Sequence, residues 1–210
     1  MAARESSDAS IHEFLRALAD SDAAHAGVSA AAVAGALGTS LLQRVATLPM
    51  TRSDSAADRV ALVQASKSLH RIQEQLLATI ETETVVRIYA ARSMPRRSVA
   101  ERAERDAAMQ LALRAAADVP LEVLRLCVLG LKQSARVAEH SARAAANELK
   151  LGVTLLRDAF GGAQSNVEAR LTSLTDPVYV QTIADQIARL NAEAFDAVAA
   201  AERIIPPQPA

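Results

Sequence analysis

Tryptophan is absent from this sequence, and three phenylalanines with two tyrosines make up the whole aromatic complement of its 210 residues. Sheets draw their cores from aromatic and β-branched side chains, so a chain that is 50% hydrophobic yet packed with alanine, leucine and valine points to closely apposed helices. Cysteine is nearly absent too. Cys127 has no second thiol to pair with, and in the apolar run Val123–Leu131, with no histidine on its helical face, it is expected to be buried and reduced. Charge of one sign is also missing. With 23 basic and 24 acidic residues the net charge is −1, which offers no general attraction to nucleic acid or to an anionic membrane.

Other motifs are missing as well. Met1–Ser10 has no basic start followed by an apolar run, and the uncharged stretch Gly27–Leu42 is short and rich in Ala, Gly and Ser for a membrane span. A cytoplasmic protein without membrane or nucleic-acid partners is therefore expected. No phosphate-binding loop, dinucleotide fingerprint or Ser/His/Asp constellation occurs. His12, His25, His70 and His140 are too dispersed to share a helical face, so no metal site is expected, and nothing calls for a nicotinamide, flavin or metal cofactor.

What is present reads as helix almost throughout. Ser10-Ile-His-Glu13 has the form of a capping box and opens a helix to about Ala19. The residues from Asp20 to Val28 are expected to form a loop, and a helix from Ser29 to Leu48 is ended by Pro49. One long helix is predicted from Ser55 to Ser93, stopped by Pro95. Ser98-Val-Ala-Glu101 repeats the capping box and starts a helix to Ala117. A break at Val119-Pro120 and a further helix to His140 follow. Another helix is expected over Ser141 to Leu171, where Gly161-Gly162 costs about 2 kcal/mol unless close packing, ligand approach or a kink accounts for it. Asp176-Pro177 opens the last helix, to about Ile204.

The expectation is an all-α fold, an antiparallel bundle of long helices forming one domain over residues 10–204, with disordered arms at 1–9 and 205–210. The helices at 29–48 and 141–164 are apolar or small nearly all round, more than one subunit of this size needs to bury, so a homodimer is expected.

Three features suggest chemistry. His25-Ala-Gly-Val-Ser29 forms the mouth of a small-residue helix, where glycine allows close backbone approach. Glu81 shares a helical series with Leu77, Val85 and Ile88, and Glu148 with Ala144, Leu151 and Leu155. A carboxylate on an apolar stripe is desolvated unless paired, which suits it to proton transfer; the structural alternative is an ion pair with Arg87, Arg143 or Arg157. Asn166 is a polar residue within an apolar helix and demands a hydrogen-bond partner, from a ligand or a neighbouring helix.

Ile11-His-Glu-Phe-Leu-Arg-Ala-Leu-Ala19, the helix Ser29–Leu42, Ala117-Asp-Val-Pro-Leu-Glu-Val123, and Ser165-Asn-Val-Glu-Ala-Arg-Leu171 followed by Asp176 occur in an order and spacing that span nearly the whole chain. In these the chain resembles the cyclodeaminase/methenyltetrahydrofolate cyclohydrolase family, the helical domain also found at the C-terminus of formiminotransferase-cyclodeaminase. Where that family has Pro-Gly-Gly-Gly-Ser this chain has His25-Ala-Gly-Val-Ser29, and where it has a Gly-Lys-Lys-type segment this chain has Thr51-Arg52-Ser53. A family aspartate falls on Glu81 and a Ser-Asp pair on Asn147-Glu148.

The resemblance implies a small-molecule substrate, a tetrahydrofolate derivative, handled without a further cofactor. It assigns Glu81 and Glu148 to proton transfer, and Gly27, Ser29, Asn147 and Asn166 to substrate contacts, with Arg52 on the anionic tail. Two alternatives stand beside it: the same scaffold serving a non-folate cyclisation, and a helical dimer that has lost its chemistry.

Overall fold

The computed structural model describes residues 10–20, 26–49, 55–81 and 84–205, and these contain helices and no strand. The helices are α1 (Ile11–Ala19), α2 (Ala26–Thr47), α3 (Ala56–Ala78), α4 (Thr84–Ser93), α5 (Val99–His140), α6 (Ala146–Leu171) and α7 (Pro177–Ile204), with 3₁₀ turns at Thr79–Glu81 and Arg143–Ala145. The expected arms 1–9 and 205–210 lie, except for Ile205, outside the described residues.

Local signals set several boundaries. Ser10 and Ser98 each accept from the amide of the third helical residue while Glu13 and Glu101 return the bond, forming complete capping boxes. Asp176 caps α7 by accepting from the amides of Val178 and Tyr179, and those bonds hold its carboxyl below the usual range, helped by the nearby Arg114 guanidinium.

Four expectations are corrected. α2 begins at Ala26, so Gly27 and Ser29 lie in its first turns, not in a loop and at a cap. The single helix predicted over 55–93 is interrupted: Thr79 turns its hydroxyl back to the Leu76 carbonyl (2.6 Å), and the chain passes into the 3₁₀ turn before α4. The last break does the same on a smaller scale, since Ser141 caps α5 and α6 starts only at Ala146.

The break expected at Val119-Pro120 does not occur, and α5 runs for 42 residues with Pro120 buried inside it. Proline removes one backbone bond and crowds the preceding turn, but α7 clamps the helix there. Arg114 pairs with Asp176 (2.7 Å) and lies over the Tyr179 ring at 5.0 Å, and the Tyr179 hydroxyl donates to Asp118 (3.0 Å). The clamp continues as Arg125 to Gln186 (2.7 Å) and Lys132 to Glu193 (2.6 Å). These rungs repeat every seven residues in both helices, the spacing at which a paired helix face recurs.

The same rungs show α5 and α7 running parallel. Thr39 and Gly35 of α2 meet Gly130 and Cys127 of α5 in parallel register too, while Gly152 meets Gly38 and Asp58 meets His140 in antiparallel register. Thus α2, α5 and α7 run one way and α3 and α6 the other. Successive long helices alternate as expected, with parallel neighbours between alternate members.

α2 occupies the middle, packed on α3, α5 and α6. Among the described helices it alone is long and apolar enough to cross a membrane, yet it serves as a core helix: Ala32, Leu42 and Val45 are fully buried. Its approach to α6 is set by glycine. A Cβ on Gly38 would lie 2.8 Å from the Gly152 carbonyl oxygen, and one on Gly152 would lie 3.0 Å from Leu42. Gly130 of α5 meets Leu156 just as closely, at 3.0 Å.

The glycine pair in α6 behaves differently: Gly162 is in ordinary contact with Ala31 at 3.6 Å, Gly161 faces open space, and the helix continues through both. Two substitutions should therefore act in opposite directions. Gly38→Ala is expected to destabilise the protein by about 1–3 kcal/mol through overpacking against backbone. Gly161→Ala should stabilise it by up to about 1 kcal/mol through helix propensity. Urea unfolding followed by circular dichroism checks both, and destabilisation by Gly161→Ala would mean that another molecule packs on that face.

Candidate functional site

The antiparallel α2–α6 pair brings two of the expected residues together. Gly27, in the first turn of α2, faces Asn166 of α6 so closely that an added Cβ would lie 3.0 Å from Nδ2 and 3.2 Å from Oδ1. Asn166 donates from Nδ2 to the Gly162 carbonyl (2.8 Å), which fixes the side-chain amide against the first turn of α2. Ser29, half-buried, lies in the next turn of the α2 start.

Glu81 belongs to the same end by its backbone. Gln73 donates to Ser40 (2.9 Å) and Leu76 approaches Gly35, and this register carries the Thr79–Glu81 turn back beside Ala30–Ala32 of α2, where it packs. The Glu81 side chain lies outside the described residues.

Glu148 and Asn147 lie elsewhere. The Gly38–Gly152 register sets the first turn of α6 beside Leu42–Ala46, toward the other end of α2. Glu148 is half-buried and Asn147 exposed. An acid in the first turn of α6 also complements the helix dipole, which gives Glu148 a structural use there. At a rise of 1.5 Å per residue, Asn166 and Glu148 stand about 27 Å apart along α6. Arg52 lies outside the described residues; the flanking Pro49 and Ser55 belong to this second end.

The altered glycine loop acquires a physical meaning. Val28, which replaces a small residue of the family pattern, is 4% exposed and points into the core rather than across the mouth. Gly27 is the position at which a side chain would collide with Asn166. His25 lies outside the described residues.

Two features escaped the sequence reading. Arg170, one turn beyond Asn166, is half-buried, and desolvation lowers its pKa from the ordinary arginine value. At the second end, α2 and α3 enclose a groove of about 400 Å³ lined by Ala46, Leu48, Leu62 and Val63, with Arg59 and Lys67 among its lining side chains. The signal for the groove was weak, because its walls come from two helices and only their pairing creates it.

The remaining candidates for chemistry are accounted for. His140 Nδ1 meets Asp58 at 2.7 Å, tying the end of α5 to the start of α3. Cys127 is fully buried and its thiol is pushed up to about 12 by burial, as suits an inert core residue. No cluster of three or more metal-ligating side chains occurs among the described residues.

The architecture defines an all-helical bundle whose polar candidates gather at the two ends of a small-residue central helix. The family model for formiminotransferase-cyclodeaminase matches residues 10–189, and the chain belongs to that family. It is 28% identical over 187 residues to the methenyltetrahydrofolate cyclohydrolase of Methylorubrum extorquens, covering 88% of this chain and 89% of that protein. It is also 28% identical over 186 residues to the formimidoyltransferase-cyclodeaminase of Gallus gallus, covering 86% of this chain but 34% of that longer protein. The crystal structure of formiminotetrahydrofolate cyclodeaminase from Thermotoga maritima superposes with a TM-score of 0.83 at 17% identity, covering 95% of this chain and 96% of that one, and shows the same fold.

The burial of Cys127 has a direct check. At pH 8 the folded protein should resist iodoacetamide, because the thiolate is scarce and inaccessible, and should react promptly in guanidinium. Rapid alkylation of the folded protein would return Cys127 to the list of reactive groups.

Proposed function

We propose that this protein is a folate enzyme working by acid–base catalysis at an amidine or imine carbon. It hydrolyses 5,10-methenyltetrahydrofolate to 10-formyltetrahydrofolate, or cyclises 5-formiminotetrahydrofolate with loss of ammonia. The observation that carries the reading is the closure of Asn166 on Gly27 beside the Thr79–Glu81 turn. The names of the matched relatives, a methenyltetrahydrofolate cyclohydrolase among them, supply the substrate class.

Both reactions pass through a tetrahedral carbon held between two nitrogens. In the hydrolysis, water adds to the carbon and gives up a proton, and the C–N5 bond breaks as N5 receives one. In the cyclisation, N10 adds to the carbon of the protonated formimino group (–CH=NH2+) and loses its proton, and the resulting amine accepts a proton and leaves as ammonia, which restores the cationic methenyl bridge. One carboxyl group in a poorly hydrated pocket serves as base and then as acid in either case. Glu81 and Glu148 are our assignments for proton transfer. Gly27, Ser29 and Asn166 contact the ring system, with Arg170 a further donor to its carbonyl oxygen; Asn147 is assigned a further substrate contact and Arg52 the anionic tail.

We read the active form as a homodimer. Leu37 is 54% exposed at the midpoint of α2. Two α2 helices crossing antiparallel there bring Gly27 of one chain level with Thr47 of the other, and Glu81 level with Glu148 of the partner subunit. Within one chain, by the registers above, the two acids are about 18 Å apart along the bundle axis.

Loss of the methenyl chromophore in a stirred cuvette tests the chemistry. Glu81→Gln and Glu148→Gln are each expected to lower kcat about 100- to 10,000-fold with little change in KM; unchanged turnover in both removes them from the mechanism. Leu37→Glu tests the assembly, with a monomer expected by light scattering together with lost activity. A variant that remains dimeric moves the interface elsewhere.

A further inference from the structure

Two apolar patches are left uncovered by the described residues of the chain. α1 carries Ile11, Phe14, Leu15 and Leu18 at the three- and four-residue spacings of one helical stripe. None of its residues is buried, and Ile11 and Leu15 are more than half exposed. Its main neighbour is α2. A helix of nine residues is marginal in water without tertiary packing, and the family match starts at residue 10, which puts α1 inside the family's domain. The second patch lies on α3, where Val60 and Val63, one turn apart, are more than half exposed, and Val63 adjoins Leu48 and Pro49 at the end of α2.

Within one chain these patches belong to opposite ends of α2. α1 precedes Gly27, whereas Val63 stands beyond Thr47, about 30 Å further along. An antiparallel crossing of two α2 helices at Leu37 removes that separation. Gly27 of one chain is then level with Thr47 of the other, and each α1 comes level with the partner subunit's Val60 and Val63. The area required points the same way. A stable dimer buries about 1,200–2,000 Å², and the open face of α2 offers mostly small groups, Ala30, Val33 and Ala34 beside Leu37 and Leu41. Two α1 stripes on two valine patches add the large side chains which that face lacks, and a two-fold axis makes both contacts at once.

We propose that α1 is a docking arm for a second copy of this chain, its Ile11–Leu18 stripe packing across the partner subunit's Val60 and Val63. The docking rests on the homodimer reading above and is independent of the folate chemistry. Six residues separate Ala19 from Ala26, so a seated arm also holds the end of α2 at which Gly27 meets Asn166.

Leu15→Cys with Val63→Cys in the full-length protein, oxidised and run on a non-reducing gel, reads the contact directly. Cys127 is fully buried and stays out of the reaction. A band at twice the chain mass is expected from the double variant and from neither single one. A monomer of altered mobility means that α1 folds back on its own α3, which overturns the proposal, as does the absence of any cross-link. Ile11→Ser with Leu15→Ser changes only exposed side chains, so circular dichroism should be preserved while the dimer dissociation constant, from sedimentation, rises about ten-fold or more. Val60→Ser with Val63→Ser should act alike, and the four changes together should weaken the dimer by less than the product of the two effects, because both pairs disrupt one contact. An unchanged constant, or effects that simply multiply, overturns the docking. A dimeric wild type that fails these tests keeps the α2 crossing and loses only the arm; a monomeric wild type refutes both.

Discussion

The close approach of α2 to α6 governs this molecule. With Gly38 against the Gly152 backbone and Gly152 against Leu42, the two helix axes come nearer than any pair of side chains would allow, and only one register puts hydrogen where the backbones meet. Each residue of slip turns a helix by about 100°, so a shift at this crossing would carry Asn166 away from Gly27 a dozen residues on. The close approach of Gly27 and Asn166 is therefore held by an apolar contact far from it. α5 locks the same crossing from a third side, through Gly130 against Leu156 and Thr39.

A core built this way has no room for polar chemistry along its length. Thr39 and Ser134 are its buried polar side chains together with Ser141, and the hydroxyls of Thr39 and Ser134 are spent on carbonyls of their own helices. Polar and charged side chains collect instead where helices end: Ser29, Asn166 and Arg170 at one end of α2, and Arg59, Lys67, Asn147 and Glu148 toward the other. α7 belongs to neither set. Its rungs to Asp118, Arg125 and Lys132 sit on the outside of α5 and keep a proline-bearing helix continuous under the core.

Helix beginnings were legible because their chemistry is local. Ser10, Ser98 and Asp176 each meet amides two or three residues away, and no tertiary contact is needed to read them. Pro120 was misread for the opposite reason: its local cost is real, but the clamp from Asp176 and Tyr179 lies some sixty residues on and leaves no mark in the nearby sequence. The break at Thr79 was hidden by an apolar periodicity that continues across it. For the candidate site, periodicity told which face of a helix Glu81 and Glu148 share with apolar neighbours. It carries no information on how far along the bundle one helix stands relative to another, so their assignment to different ends emerged only from the glycine and glutamine contacts.

The departures from the family's glycine-rich loop look at first like decay of a site, and the packing argues otherwise. A side chain at position 28 goes into the core, where Val28 is 4% exposed, so a glycine there is dispensable and valine adds buried apolar surface. A side chain at position 27 would meet the Asn166 amide at 3.0 Å, so glycine there is what permits the close approach. Alanine is the better helix former by about 1 kcal/mol, so glycine stands at 27 against helix propensity, and the Asn166 side chain packed on it is the reason. Glycine at 27 is thus what the close approach of the Asn166 amide requires.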